Sequence, residues 1–132
     1  MFSFLLNRNK LLADPKKFGR WGEKYSEKFL KRKGLKLLAR NFSSRDGEID
    51  LIMIDRDGSV VFVEVKTRAS EKFDSAESAI DSSKKNKLIK TAKFFCRKYE
   101  IENRALRFDA VIIVLGESAK PDLRHYENIF SG

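Results

Sequence analysis

The stretch Gly47–Lys66, GEIDLIMIDRDGSVVFVEVK, decides how this chain folds. Aliphatic and β-branched residues fill both halves, and turn formers separate them at Asp55–Ser59. It reads as two strands, 48–55 and 59–67, around a tight turn. The length of that turn sets the register. A two-residue turn, at Asp57-Gly58 or at Arg56-Asp57, puts Asp50 and Glu64 on opposite faces of the sheet. A three-residue loop, Arg56-Asp57-Gly58, pairs Asp55 with Ser59. Counting back then places Asp50 opposite Glu64, and Glu48 opposite Lys66. Such a loop wants glycine at its last, left-handed position, and Gly58 stands there. Turn chemistry therefore favours the register that gathers the ionisable residues.

Alternation along the strands gives each residue a face. Glu48, Asp50, Glu64 and Lys66 share one with Ile52, Ile54, Val60 and Phe62. Ile49, Leu51, Met53, Val61, Val63 and Val65 take the other. Both faces are apolar, so both should be covered. Charges at one end of a largely buried hairpin need compensation, because an unpaired buried charge costs on the order of several kcal/mol. Lys66 can supply it by pairing with Glu48 or Glu64 across the hairpin. Alternatively, Asp50 and Glu64 hold a divalent cation, and carboxylate oxygens suit hard ions such as Mg²⁺ or Mn²⁺.

Outward from the hairpin, Asp14-Pro15 marks a helix start, with Asp as cap and Pro in the first turn. Phe18, Gly22, Tyr25, Ser26, Phe29 and Leu30 form one stripe of a helix over about 18–33, and Gly34 ends it. A strand follows at 35–42, then a loop through Ser43, Ser44 and Asp46-Gly47. Beyond the hairpin lie a loop at 68–75 and a long helical region at 76–99, with a potential break near Ser82-Ser83. Residues 106–115 are nearly all apolar and read as a central strand, and 124–130 as a short edge strand. Residues 1–14 are expected as an arm, either poorly ordered or docked by Phe2, Phe4, Leu5 and Leu6. The rest, 15–132, is one domain. The order α-β-β-β-α-β, with a last β, predicts an α/β protein with a mixed central sheet flanked by helices.

The chain has 132 residues, 28 Lys+Arg against 19 Asp+Glu, and a net charge of +9. That balance favours association with polyanions through phosphate contacts. One cysteine, Cys96, excludes an intramolecular disulfide, and with one histidine it leaves too few ligands for structural zinc. Cys96 reads as a small packed residue and His125 as a residue packed at the sheet edge. The opening MFSFLL is too short for a signal or a membrane span, so a cytoplasmic protein is expected.

The segments GRWGEKYSEKFLKRKG, LLARNF, GEIDLI, VFVEVKTR, the 76–92 helix with Lys84 and Leu88, and RFDAVII occur in an order that resembles the YraN-like family. That family has a predicted endonuclease fold within the PD-(D/E)XK superfamily and is similar to archaeal Holliday-junction resolvases. The resemblance covers about residues 15–130. It implies a restriction-endonuclease-like α-β-β-β-α-β core and a Mg²⁺- or Mn²⁺-dependent endodeoxyribonuclease. Asp50 matches the superfamily's metal-binding Asp, Glu64 its Asp/Glu position and Lys66 its Lys. Glu23 matches the helical acidic residue of resolvase-type members. Asp50 and Glu64, with the backbone carbonyl of Val65, would hold the ion. Lys66 would sit near the attacking water, and Glu23 would hold Lys66 or a second metal's waters. Ile49-Asp50 replaces the usual Pro-Asp, Ser26 stands where Ala is expected, and Asp74 where Gly is usual.

Candidates for DNA contact are Arg45, Thr67 and Arg68, with Ser83, Lys84 and Lys87 at the start of the long helix, whose free N–H groups suit phosphate. No base-reading motif is present, so recognition by shape or backbone is expected. Branched DNA and a homodimer are implied by the resolvase resemblance alone. The rival readings are a non-catalytic nucleic-acid-binding accessory protein that retains the nuclease fold, and a protein adaptor with a structural acidic cluster.

Overall fold

The hairpin forms in the expected register. The Asp55 N–H donates to the Ser59 carbonyl at 2.9 Å, and Gly58 has φ +89°. Pairing continues through Ile54–Val60, Met53–Val61, Ile52–Phe62 and Leu51–Val63. The computed structural model describes residues 2–71, 84–117 and 120–130, with side chains from residue 7 onward. The elements are α1 (Phe2–Leu12), α2 (Pro15–Arg32), β1 (Lys36–Ser44), β2 (Gly47–Ile54), β3 (Val60–Arg68), α3 (Lys85–Lys98), β4 (Leu106–Val114) and β5 (Asp122–Tyr126).

Among the described residues the sheet has five strands in sequence order. Its pairs are antiparallel except β3–β4, which run parallel from Val60–Leu106 to Arg68–Val114. A parallel pair needs a long crossover, and α3 lies within it. The predicted α-β-β-β-α-β order is thus the order found, with β5 at the edge and α1 added in front.

Helix α2 starts and stops where its sequence dictates. The Asp14 carboxylate accepts from the Lys16 and Lys17 N–H groups at 3.1 and 3.3 Å. At the other end Gly34, at φ +103°, lets the Leu35 N–H reach the Leu30 carbonyl at 3.1 Å and its own N–H reach Lys31 at 3.0 Å. Asp14→Ala is expected to lower stability by about 1 kcal/mol, and Asp14→Ser to recover most of it, as read from urea unfolding.

The residues expected as an arm form α1, which packs against α2, and Arg8 donates to the Gly116 carbonyl at 2.8 Å. Its apolar residues sit at its two ends, Phe2, Phe4, Leu5 and Leu6 before the polar run 7–10 and Leu11 and Leu12 after it, so they showed no continuous helical period. Of the long helical region, α3 begins at Lys85; residues 72–83, with the potential break at Ser82-Ser83, lie outside the described residues. Strand β5 spans Asp122–Tyr126, ahead of the expected 124–130, because Asn128 turns left-handed at φ 55°.

Helices α2 and α3 cover opposite faces of the sheet. Leu30 and Leu35 pack with Leu51, Met53, Val61, Val63, Val111 and Ile113 under α2. Ala92 and Phe95 of α3 pack with Ile49, Ile52, Val60 and Phe62. Ile49 departs from expectation, which put it with Leu51 and Met53. The chain turns over between them, and β1 turns over beside it. Arg40 reaches the α2 side to bond Glu27, yet Phe42 meets Phe95 on the α3 side at 5.0 Å. Asn41 between them has φ 50° and faces Asp50, since its neighbours pair as Arg40–Leu51 and Phe42–Ile49.

One buried acid ties the sheet to its last strand. Asp109, 1% exposed, accepts from Arg107 Nε and Nη2 at 3.0 Å, from His125 Nε2 at 2.9 Å and from the Asn128 N–H at 3.0 Å. Arg107 also donates to Asp55 at 2.9 Å, which anchors the hairpin turn. His125 packs on the edge strand as expected, with its Nδ1 taking a hydrogen bond from Lys33 at 2.7 Å.

Candidate active site

Asp50 sits where β2 and β3 cease to pair. In an antiparallel ladder hydrogen-bonded pairs alternate. From Asp55–Ser59 the alternation leads to Leu51–Val63 and would next join Ile49 to Val65. The Val65 N–H donates instead to Asp50 Oδ2 at 2.7 Å, and pairing ends at Leu51–Val63. The carboxylate substitutes for a strand carbonyl and stays half-buried among the strand ends.

Glu64 and Lys66 stand two residues apart on β3, and their side chains meet at 2.9 Å. Lys84, just before α3, approaches the same Glu64 oxygen at 3.7 Å. Glu23 enters from α2. Burial raises the pKa of Asp50 to about 6; the Val65 N–H opposes this, the Glu23 and Glu64 carboxylates add to it, and Lys66 lowers it. Burial also raises Glu23, against a hydrogen bond from the Asn41 side chain and with repulsion from Glu48. Burial pulls Lys66 down, but Glu64 and Asp50 help to hold it above the ordinary lysine value. Of the four residues singled out in the sequence, Glu23, Glu64 and Lys66 thus all act electrostatically on Asp50.

Glu48 is placed differently from expectation. It lies across β1 from Ser43, whose hydroxyl donates to it at 3.3 Å, while Lys66 pairs with Glu64. The β2–β3 ladder that would have carried Glu48 to Lys66 has already ended at Leu51. Thr67, expected at the nucleic-acid surface, is taken up in packing. A Cβ on Gly22 would stand 2.1 Å from its Oγ1. Glycine at 22 lets α2 settle onto β3 with Glu23 beside the strand ends. Gly22→Ala is therefore expected to destabilise by roughly 1–3 kcal/mol, and thermal unfolding measures it; an unchanged midpoint would contradict this close approach.

The other expected binding residues are spread around the site. Arg45 is exposed in the β1–β2 turn. Arg68 turns back to the Thr67 carbonyl at 3.1 Å. Lys84 and exposed Lys87 line a cavity of about 200 Å³ whose other walls include Glu48 and Glu64. Ser83 lies outside the described residues.

The model of the uncharacterised protein family UPF0102 matches residues 22–113, which span all four of these site residues. The chain belongs to this family. A UPF0102 protein of Bifidobacterium longum is 39% identical over 118 residues, covering 88% of this chain and 94% of its own. One from Syntrophomonas wolfei is 38% identical over 115 residues, covering 87% and 98%. Among solved structures, a repair endonuclease from Pyrococcus abyssi is similar at a TM-score of 0.41 and 23% identity, over 72% of this chain and 36% of that one.

The donor set of this UPF0102 chain fits a hard divalent ion. Asp50 and Glu64 offer carboxylate oxygens, and the Val65 carbonyl belongs to the same strand. Among the described residues no cluster of three His, Cys, Asp or Glu side chains is formed. Two carboxylates with water completing the shell is a Mg²⁺-like arrangement. A cation there would offset the burial and the carboxylate repulsion that together raise Asp50. Asn41 is the site residue that sequence reading missed. Only the fold shows the break in alternation there: Ala39 and Phe42, three apart, both lie on the α3 side.

Proposed function

We propose that this chain is a Mg²⁺- or Mn²⁺-dependent endonuclease that hydrolyses phosphodiester bonds in structured or branched DNA. The observation that carries the reading is the convergence of Asp50, Glu64 and Lys66 where β2 and β3 part, with the Asp50 carboxylate held at about 6 by burial and by its acidic neighbours. Asp50 and Glu64, with the Val65 carbonyl, would hold the ion. An ion held there would supply polarisation of a phosphoryl oxygen and a more acidic water. Lys66, now paired with Glu64, lies within reach of the same centre and would donate to the charge that develops on the phosphate. Glu23 would orient Lys66 or ordered water from the α2 side.

Arg45, Arg68, Lys84 and Lys87 would track the backbone, and the net charge of +9 supports a polyanionic partner. A dimer would suit a two-fold symmetric junction. Among the described residues no helix is long and apolar enough to cross a membrane.

Two substitutions test the roles separately. Glu64→Ala is expected to lose both Mn²⁺ binding and cleavage. Lys66→Ala is expected to keep Mn²⁺ binding while cleavage falls by about 10²–10³-fold. Calorimetric Mn²⁺ titration beside a labelled-DNA assay reads both. Cleavage by Lys66→Ala at the wild-type rate would remove Lys66 from the chemistry. Salt-sensitive DNA binding without turnover would favour the accessory binder.

A further inference from the structure

We propose that Asn41 is a positioning residue that aligns Glu23 with Asp50. Three features of the fold converge on it. The first is its backbone: at φ 50° inside β1, Asn41 adopts the left-handed conformation that asparagine tolerates better than most residues. The second is its place in the register. Asn41 stands across from Asp50, and both strands turn over at this pair, Arg40 and Leu51 facing α2 while Phe42 and Ile49 face α3. The third is its side chain, which lines with the Glu23 carboxylate a cavity of about 100 Å³ shared with Arg20, Lys24 and Leu51, and which lowers that carboxyl's pKa against the effect of burial.

Residue 41 therefore does two jobs. Its backbone inverts the strand at the point where Asp50 leaves the ladder. Its amide, a donor without charge, anchors the helical acid beside that point. Glycine would keep the first job and lose the second. Aspartate would keep size and turn preference, yet it would set another carboxylate against Glu23.

The kinetic consequence rests on the nuclease reading; the Asn41–Glu23 alignment does not. The test is a double-mutant cycle of Asn41→Gly with Glu23→Ala, read in cleavage of labelled DNA and in urea unfolding. Asn41→Gly is expected to lower kcat about tenfold, the kinetic equivalent of one hydrogen bond, with KM for DNA unchanged. In the Glu23→Ala background the same change is expected to have no further effect. The urea midpoints of the cycle are expected to be non-additive, and Asn41→Asp is expected to lose at least as much turnover as Asn41→Gly. Equal losses in both backgrounds, additive midpoints, or full turnover in Asn41→Asp would overturn the proposal. If the wild type cleaves nothing, the nuclease reading fails by itself, and the midpoints still decide whether Asn41 holds Glu23.

Discussion

Asp50→Asn is expected to lose DNA cleavage by about 10³-fold and, at pH 8, to be more stable than the wild type by on the order of 2–3 kcal/mol. Both effects come from the same charge. Asparagine keeps an oxygen that can accept the Val65 N–H, so the strand junction survives. It removes the negative charge that burial, Glu23 and Glu64 oppose. The sign follows from linkage. A carboxyl whose folded pKa lies near 6, against an ordinary 3.8, binds its proton more tightly in the folded state. Its ionisation therefore weakens the fold as pH rises between those values, and the penalty is complete above the folded value. The stability gap should be widest at pH 8, narrow as pH falls through 6, and close near pH 4. Added Mg²⁺ should also narrow it by stabilising only the wild type. Urea unfolding at several pH values measures this. A variant no more stable than wild type at pH 8 would mean that Asp50 is not held against its neighbours.

Asp109→Ala is expected to cost about 3–5 kcal/mol, the usual effect of breaking a buried ion pair from one side. Burial raises this carboxyl, but hydrogen bonds from His125, Arg107 and the Asn128 N–H outweigh it and leave the pKa below the ordinary value. Removing the acid strips acceptors from the Arg107 guanidinium and from His125, whose side chain is 3% exposed. It also unties β5 from β4 and loosens the hold on Asp55. Because the folded pKa is depressed, this contribution is present above about pH 4 and is lost as pH falls through the folded value. A loss under 1 kcal/mol in urea would show that the network stabilises little.

What the sequence disclosed and what it hid have a common cause. Gly58 named the hairpin loop, and with it the register, because a three-residue loop needs a left-handed residue at that point. Asp14 and Gly34 named the ends of α2, because each fills an unpaired backbone role at its own position. These signals are local. The inversion at Asn41 and Asp50 was hidden in β2, where Ile49, Leu51, Ile52 and Met53 are apolar in either phase. Glu48 was consequently assigned to Lys66 when it lies across from Ser43. The partners of Asp109 come largely from β5 and the residues just after it, and no spacing in the sequence announces them. Glu23 was found through its family likeness, and the close approach that a glycine at 22 suggested beside it is the one found: Gly22 admits Thr67 beneath the helix.

Cleavage of labelled linear duplex, single-stranded, flapped and four-way DNA, with Mg²⁺ or Mn²⁺ and with chelator, by wild type beside Asp50→Asn, bears most directly on the proposed chemistry. Metal-dependent cutting of at least one substrate by the wild type, and none by the variant, is the predicted result. Cutting that persists undiminished in Asp50→Asn, or no metal-dependent cutting of any substrate by the folded wild type, would contradict it.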